Sequence, residues 1–206
     1  MKGNPMLRYT TDTHAIMGLS LSQLGLFLAT GILLTAVISF VFLNNWERTN
    51  ELRSYESSFS ALLEDIDSSF LKNSTMFQFP ETTYPYKVHL SSEYIVISTK
   101  GFWDSRLQMT KRFLVRPWVR SSTQNWTTGN DLHEYLNITY GHRGVQDDVI
   151  SLQNFTQLQL EQNASSSYYA LHPLEIFTYY PVIIEKVVLF YDTGQSFDVL
   201  LVYQIQ

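Results

Sequence analysis

The sequence predicts an α+β protein: a long N-terminal transmembrane helix that continues into an amphipathic helix packed on an antiparallel β-sheet head. Three observations carry this. Ala15 to Trp46 is a run of 32 residues without one Asp, Glu, Lys or Arg. Beyond it, Leu52, Tyr55, Phe59, Leu62, Leu63, Ile66 and Phe70 recur at steps of three and four, the spacing of one helix face. From Tyr86 onward apolar and polar residues alternate in short runs, the period of strands.

Within the first segment, Leu24 to Leu43 is a 20-residue stretch of mostly Leu, Ile, Val, Phe and Ala. As a helix it rises about 30 Å, the thickness of a bilayer's hydrocarbon core. A cleaved secretory signal has only roughly 7–15 apolar residues followed by a small-x-small site. Val41-Phe42-Leu43-Asn44-Asn45-Trp46 offers no such site, so the segment is expected to stay as an anchor. Gly25 and Ala29, then Gly31, Thr35 and Ser39, step by four along it. Such a ridge lets a second helix approach closely; the ordinary Gly and Thr content of membrane helices explains it equally well.

Basic flanks do not orient the span, because Lys2 and Arg8 precede it and Arg48 and Arg53 follow. Sequons do. Asn73, Asn125, Asn137, Asn154 and Asn163 each head an Asn-x-Ser/Thr triplet. Nine Asn follow Leu43, and the chain holds 39 Ser and Thr in 206 residues. Chance then gives roughly two sequons. The excess favours a cytoplasmic N-terminus at the cell membrane and an extracellular, glycosylated remainder. The chain has no cysteine, which excludes disulfides, thiol catalysis and cysteine-held metals. An exported domain without disulfides favours a prokaryotic or anaerobic source, and with the sequons this suggests an archaeal surface protein.

Four parts follow from this reading: a cytoplasmic N-terminus (1–15), the transmembrane helix (16–45), an amphipathic extension (46–72) and an extracellular β-rich domain (73–206). No Pro or Gly interrupts Leu43 to Leu71, and Glu51, Glu56, Glu64, Asp65 and Asp67 fall largely off the apolar stripe. Asn73-Ser74-Thr75 and Pro80 stop the helix. Tyr86–Leu90 and Tyr94–Ser98 flank Ser91-Ser92-Glu93 as a hairpin, and Leu107–Val115 is a third alternating run. Val182–Tyr191 and Phe197–Tyr203 form a second hairpin, whose unbroken Val187–Phe190 marks a central strand covered on both faces. The middle, about 117–173, reads as an irregular glycosylated insert. It holds one short helix near Asp131–Tyr140 capped by Asn130, and a weak strand at Leu158 and Leu160.

An apolar N-terminal helix that becomes amphipathic and enters a β-rich head resembles the type IV pilin-like superfamily. The likeness covers the whole chain in layout and about residues 18–70 in pattern. It is most similar to archaeal pilins, archaellins and membrane-anchored archaellar stator proteins. The resemblance implies a structural or anchoring role in an envelope or surface filament. Archaeal prepilins carry Lys or Arg just before the small residue that precedes the apolar run. Here the stretch is His14-Ala15-Ile16-Met17-Gly18, with Gly18 as the small residue and Gln23 five positions on. An uncleaved, pilin-shaped accessory or anchor fits this departure better than a major filament subunit.

No residue set supports an enzyme. His133-Glu134 lacks a second histidine at position 137, and GxSxG, P-loop and GxGxxG patterns are absent. His133 and His142, with Asp147 and Asp148 near, read as a solvated loop before they read as a metal site. No cofactor is implied. Charged residues are 16% and the net charge is −5, against a nucleic-acid binder. Against that acidic background, Lys100, Arg106, Lys111, Arg112, Arg116 and Arg120 face only Asp104. Arg106, Lys111, Arg112, Arg116 and Arg120 form either a patch for an anionic partner or the solvated polar face of a strand. The expected partners are membrane lipid and protein, including self-association through the transmembrane helix. A membrane-anchored binding or sensing module is the alternative function; with about 15 residues before the span, it would signal through a partner.

Overall fold

The computed structural model describes residues 13–69, 74–100, 106–192 and 194–205, with backbone alone for 13–20. The expectations placed on Phe70, Leu71, Asn73 and Asp104 lie outside these. The first element, α1, is Thr13–Ser68, and the chain divides into two units within it, after Trp46.

In the first unit the helix offers apolar side chains to its surroundings, Leu21, Phe27, Leu33 and Phe42 among the most exposed. By length and composition it is long and apolar enough to cross a membrane. The hydroxyls of Thr30 and Thr35 donate to the carbonyls of Leu26 and Gly31, each at 2.8 Å. These bonds satisfy both hydroxyls within the helix itself.

In the second unit the strands are β1 (Ser74–Phe77), β2 (Tyr86–Leu90), β3 (Tyr94–Lys100), β4 (Arg106–Arg112), β5 (Trp118–Arg120), β6 (Leu174–Ile176), β7 (Val182–Tyr191) and β8 (Gln195–Gln204). They form two four-stranded sheets, ordered β1-β7-β8-β5 and β4-β3-β2-β6. Both expected hairpins are present, Val88 lying opposite Ile97 and Val187 opposite Val199. β7 is interior to its sheet, as its unbroken apolar run requires. The sheets are not wholly antiparallel. β5 runs parallel to β8, with Val119 opposite Val202.

The segment read as irregular carries two helices, α2 (Gly129–Tyr140) and α3 (Leu152–Leu171). The strand expected at Leu158 and Leu160 is therefore a correction: both lie in α3. Ser151 caps that helix, its hydroxyl accepting from Asn154 N–H. The cap of α2 is also corrected, from Asn130 to Thr128. Thr128 accepts from Asp131 N–H while Asp131 accepts from Thr128 N–H, a reciprocal capping box. Gly141, at φ 76, closes the other end.

Burial follows the strand alternation. Val182, Ile184, Leu200 and Val202 share one core with Leu52, Phe59, Leu63 and Ile66 of α1 and with Val88, Leu90, Ile95 and Ile97 of the second sheet. Phe59 sits at its centre, with ring centroids 5.2 Å from Phe77 and 5.8 Å from Phe79. Val187, Leu189, Val199 and Leu201 point the other way, into a core with Leu132 and Leu136 of α2 and Leu158 of α3. One sheet thus lies between two apolar layers.

Glu56 departs from its expected place. It is 3% exposed, and its Oε1 is buried without a hydrogen-bond partner among the described residues. Burial raises its carboxyl to about 7, against the pull of Lys111 and Arg53.

Candidate functional site

The small-residue ridge lies on the exposed helix of the first unit. Gly25, Ala29, Gly31, Thr35 and Ser39 are all exposed, and a Cβ added to Gly25 or Gly31 would meet nothing within 4 Å. Crowding inside the chain therefore does not select either glycine.

The linear run of cations does not form one surface. On β4, Arg106, Gln108, Thr110 and Arg112 share one face by alternation, while Lys111 shares the other with Met109, which packs on the core. Arg116 lies 3.4 Å from Glu93, an exposed pair that contributes little to stability. Arg120 leaves the surface altogether. It is 6% exposed, with its guanidinium 3.5 Å above the Trp126 ring and 5.5 Å from Trp118. Its Nε and Nη2 donate to the Trp126 carbonyl at 3.1 and 2.7 Å, and burial lowers its pKa to about 10. Arg120 is thus an internal staple between β5 and the loop before α2.

Charge counting missed one cation, Lys87, that the hairpin brings to the Arg106 end beside Lys100. Lys87 lies opposite Ser98, one step from Lys100, which lies opposite Arg106. The strand alternation itself was the available signal. Lys87, Lys100 and Arg106 line one groove of about 440 Å³ with Tyr86, Ser98 and Thr99.

The histidines are held separately. His133 Nδ1 is 2.8 Å from the Arg143 carbonyl, and His142 Nδ1 is 2.7 Å from Asp148 Oδ1. That bond, with a second from Arg143 N–H, lowers the Asp148 carboxyl. Among the described residues no group of three or more His, Asp or Glu is placed to hold a metal ion. His133 instead borders an open groove of about 770 Å³ with Asn130, Glu134 and Arg143 over Val188 and Phe190.

Of the sequons inside the described residues, Asn125 is exposed in the loop before α2, and Asn137 is exposed on α2. Asn163 is exposed on α3, while Asn154 is half-buried in that helix's first turn. The span from 117 to 173 therefore presents its sequons largely from helices.

Comparison with family models, curated proteins and solved structures finds no match for the chain.

Proposed function

We propose that this chain is a non-enzymatic, single-span cell-surface protein: a pilin-like structural or anchoring component of an archaeal envelope or filament. One observation carries the reading. Within α1, Leu21 to Phe40 is exposed and apolar, whereas Leu52, Phe59 and Leu63 are fully buried among the strands. Exposed apolar residues in such number need a cover, and a bilayer supplies one. In this reading the N-terminus is cytoplasmic and residues 47–206 are extracellular. The exposed sequons then carry glycans, and the Gly25–Ser39 ridge serves lateral association.

Intact mass and N-terminal sequencing of the protein from native envelopes test it. A start at Met1 or Lys2 with added glycan mass supports a permanent anchor. A start at Leu19 means processing after Gly18 and a filament subunit. Loss of the whole apolar segment contradicts the anchor.

The groove beside His133 favours a second reading, a membrane-anchored binding module, because polar groups border an apolar floor there. A ligand-dependent rise in thermal midpoint, lost in Glu134→Gln, would support this alternative.

A further inference from the structure

We propose that the groove beside Tyr179 binds a neutral polysaccharide of β-linked pyranose rings. Every residue involved belongs to the 47–206 unit, so this binding goes beyond the anchoring role and does not depend on it. The starting point is the loop between β6 and β7. Phe177, Tyr179 and Tyr180 are all exposed there, Tyr179 at 67%. Their rings follow one another at 5.7 and 4.9 Å between centroids. Single exposed apolar side chains are ordinary, but contiguous aromatic rings mark a surface that a ligand covers.

The loop backbone is tied down from behind. The buried side chain of Gln204 accepts from Phe177 N–H at 3.0 Å and donates to the carbonyls of Phe177 and Tyr180 at 2.9 and 3.0 Å. Gln78 donates to the Thr178 carbonyl at 2.6 Å. Facing the loop, Tyr86 donates to the Pro80 carbonyl at 2.6 Å, and the Thr82 hydroxyl donates to the Tyr84 carbonyl. Between these two walls lies a groove of about 540 Å³, with Tyr179, Thr178, Glu81 and Thr83 on its lining. Walls fixed in advance spare a ligand the entropic cost of ordering them.

Charge selects the ligand. Among the described residues the lining holds one carboxylate, that of the exposed Glu81, and no Lys, Arg or His, so an anion is repelled. A cation is drawn to aromatic faces, but the Tyr84 ring already carries the Arg48 guanidinium at 4.7 Å. A neutral ligand remains, with an apolar face for Tyr179 and hydroxyl donors for Glu81. A pyranose with equatorial hydroxyls supplies both, C–H groups across its ring face and hydroxyls around its edge. A proline-rich peptide also suits aromatic grooves, but it brings few donors to a carboxylate.

The full-length protein in phosphatidylcholine nanodiscs is titrated with fluorescently labelled cellohexaose and N-acetylchitohexaose, and anisotropy reads binding. At least one hexasaccharide should bind. Tyr179→Ala should weaken that binding about thirtyfold, as truncating an aromatic anchor does. Glu81→Gln should weaken it about tenfold, through loss of a charged acceptor. Both side chains are exposed, so neither change disturbs a core. Tyr179→Phe keeps the ring face and should bind like the parent, as should Glu134→Gln in the groove beside His133. Failure of both hexasaccharides to bind, or parent affinity in Tyr179→Ala, overturns the proposal. Tighter binding of a labelled decaproline peptide than of either hexasaccharide overturns it as well. The anchor reading is untouched by any of these results, since intact mass and N-terminal sequencing decide it separately.

Discussion

Lys186 Nζ lies 2.8 Å from Asp198 Oδ2 and donates to the carbonyls of Asp67 and Ser69 at 2.6 and 2.7 Å. The final turn of α1 carries no basic residue of its own. The lysine of β7 supplies the missing positive charge to the carbonyl end of that helix, and Asp198 holds the lysine in place. Lys186→Met should therefore cost about 2–4 kcal/mol, because it removes a buried ammonium that three acceptors share and leaves the helix end without its cation. Asp198→Asn should cost about 1 kcal/mol or less, since that carboxylate is half exposed. Thermal unfolding of both variants in detergent checks the order, and equal losses would contradict the capping role.

Glu56 makes stability depend on pH in a direction unusual for a carboxylate. Its folded value is about 7, raised by burial from an ordinary 4.5. The folded state thus holds a proton that the unfolded chain releases, and the associated stability is present below 4.5 and lost as pH rises through 7. Glu56→Gln should match the parent near pH 5 and exceed it at pH 8 by about 1–3 kcal/mol. Denaturation midpoints across that range decide it. Parallel curves for the two proteins would show that Glu56 does not titrate there.

Arg120 is held by planarity as well as charge, stacked on Trp126 while it grips that residue's carbonyl. Arg120→Leu should cost about 2–4 kcal/mol and change the near-ultraviolet tryptophan signal. Arg120→Lys should recover little, because an ammonium cannot stack and fork in the same way. Full recovery by lysine would leave only a charge requirement.

Gly129 is required by close approach. A Cβ there would meet Glu185 Oε1 at 2.5 Å and Val187 Cγ2 at 2.6 Å, while Gly129 N–H donates to Glu185 Oε2 at 2.9 Å. Tyr203 donates to the same oxygen at 3.0 Å, so the carboxylate cannot easily retreat. Gly129→Ala should destabilise by about 1–3 kcal/mol and loosen α2. Faster hydrogen exchange confined to 129–140 is the expected signature; an unchanged pattern would mean that the site relaxes freely.

Where sequence and structure agree, the signal was local. Ser91-Ser92-Glu93 between two alternating runs specifies a hairpin, and Val187–Phe190 without alternation specifies a strand covered twice. The parallel pairing of β5 with β8 has no local trace, because it joins distant parts of the chain. α3 was hidden for a different reason. Phe155, Leu158 and Tyr169 are its buried residues, and between them the inward positions include Gln162 and Ser166, which break the apolar stripe.

The misplacement of Glu56 was avoidable. Leu52, Glu56, Phe59, Leu63 and Ile66 step by four, three, four and three, which puts the carboxylate on the stripe itself. Arg120 was less legible, since a linear count of charges carries no information on burial. Only the neighbouring Trp118 and Trp126 hinted at a different environment.

The central claim is that α1 crosses a membrane with residues 47–206 outside. Full-length fusions to alkaline phosphatase and to green fluorescent protein at the C-terminus, expressed in a bacterial host, measure this directly. The account predicts active phosphatase and dark fluorescent protein, because phosphatase matures only after export and the fluorophore fails there. Bright fluorescence with inactive phosphatase would place the C-terminus in the cytoplasm and contradict it.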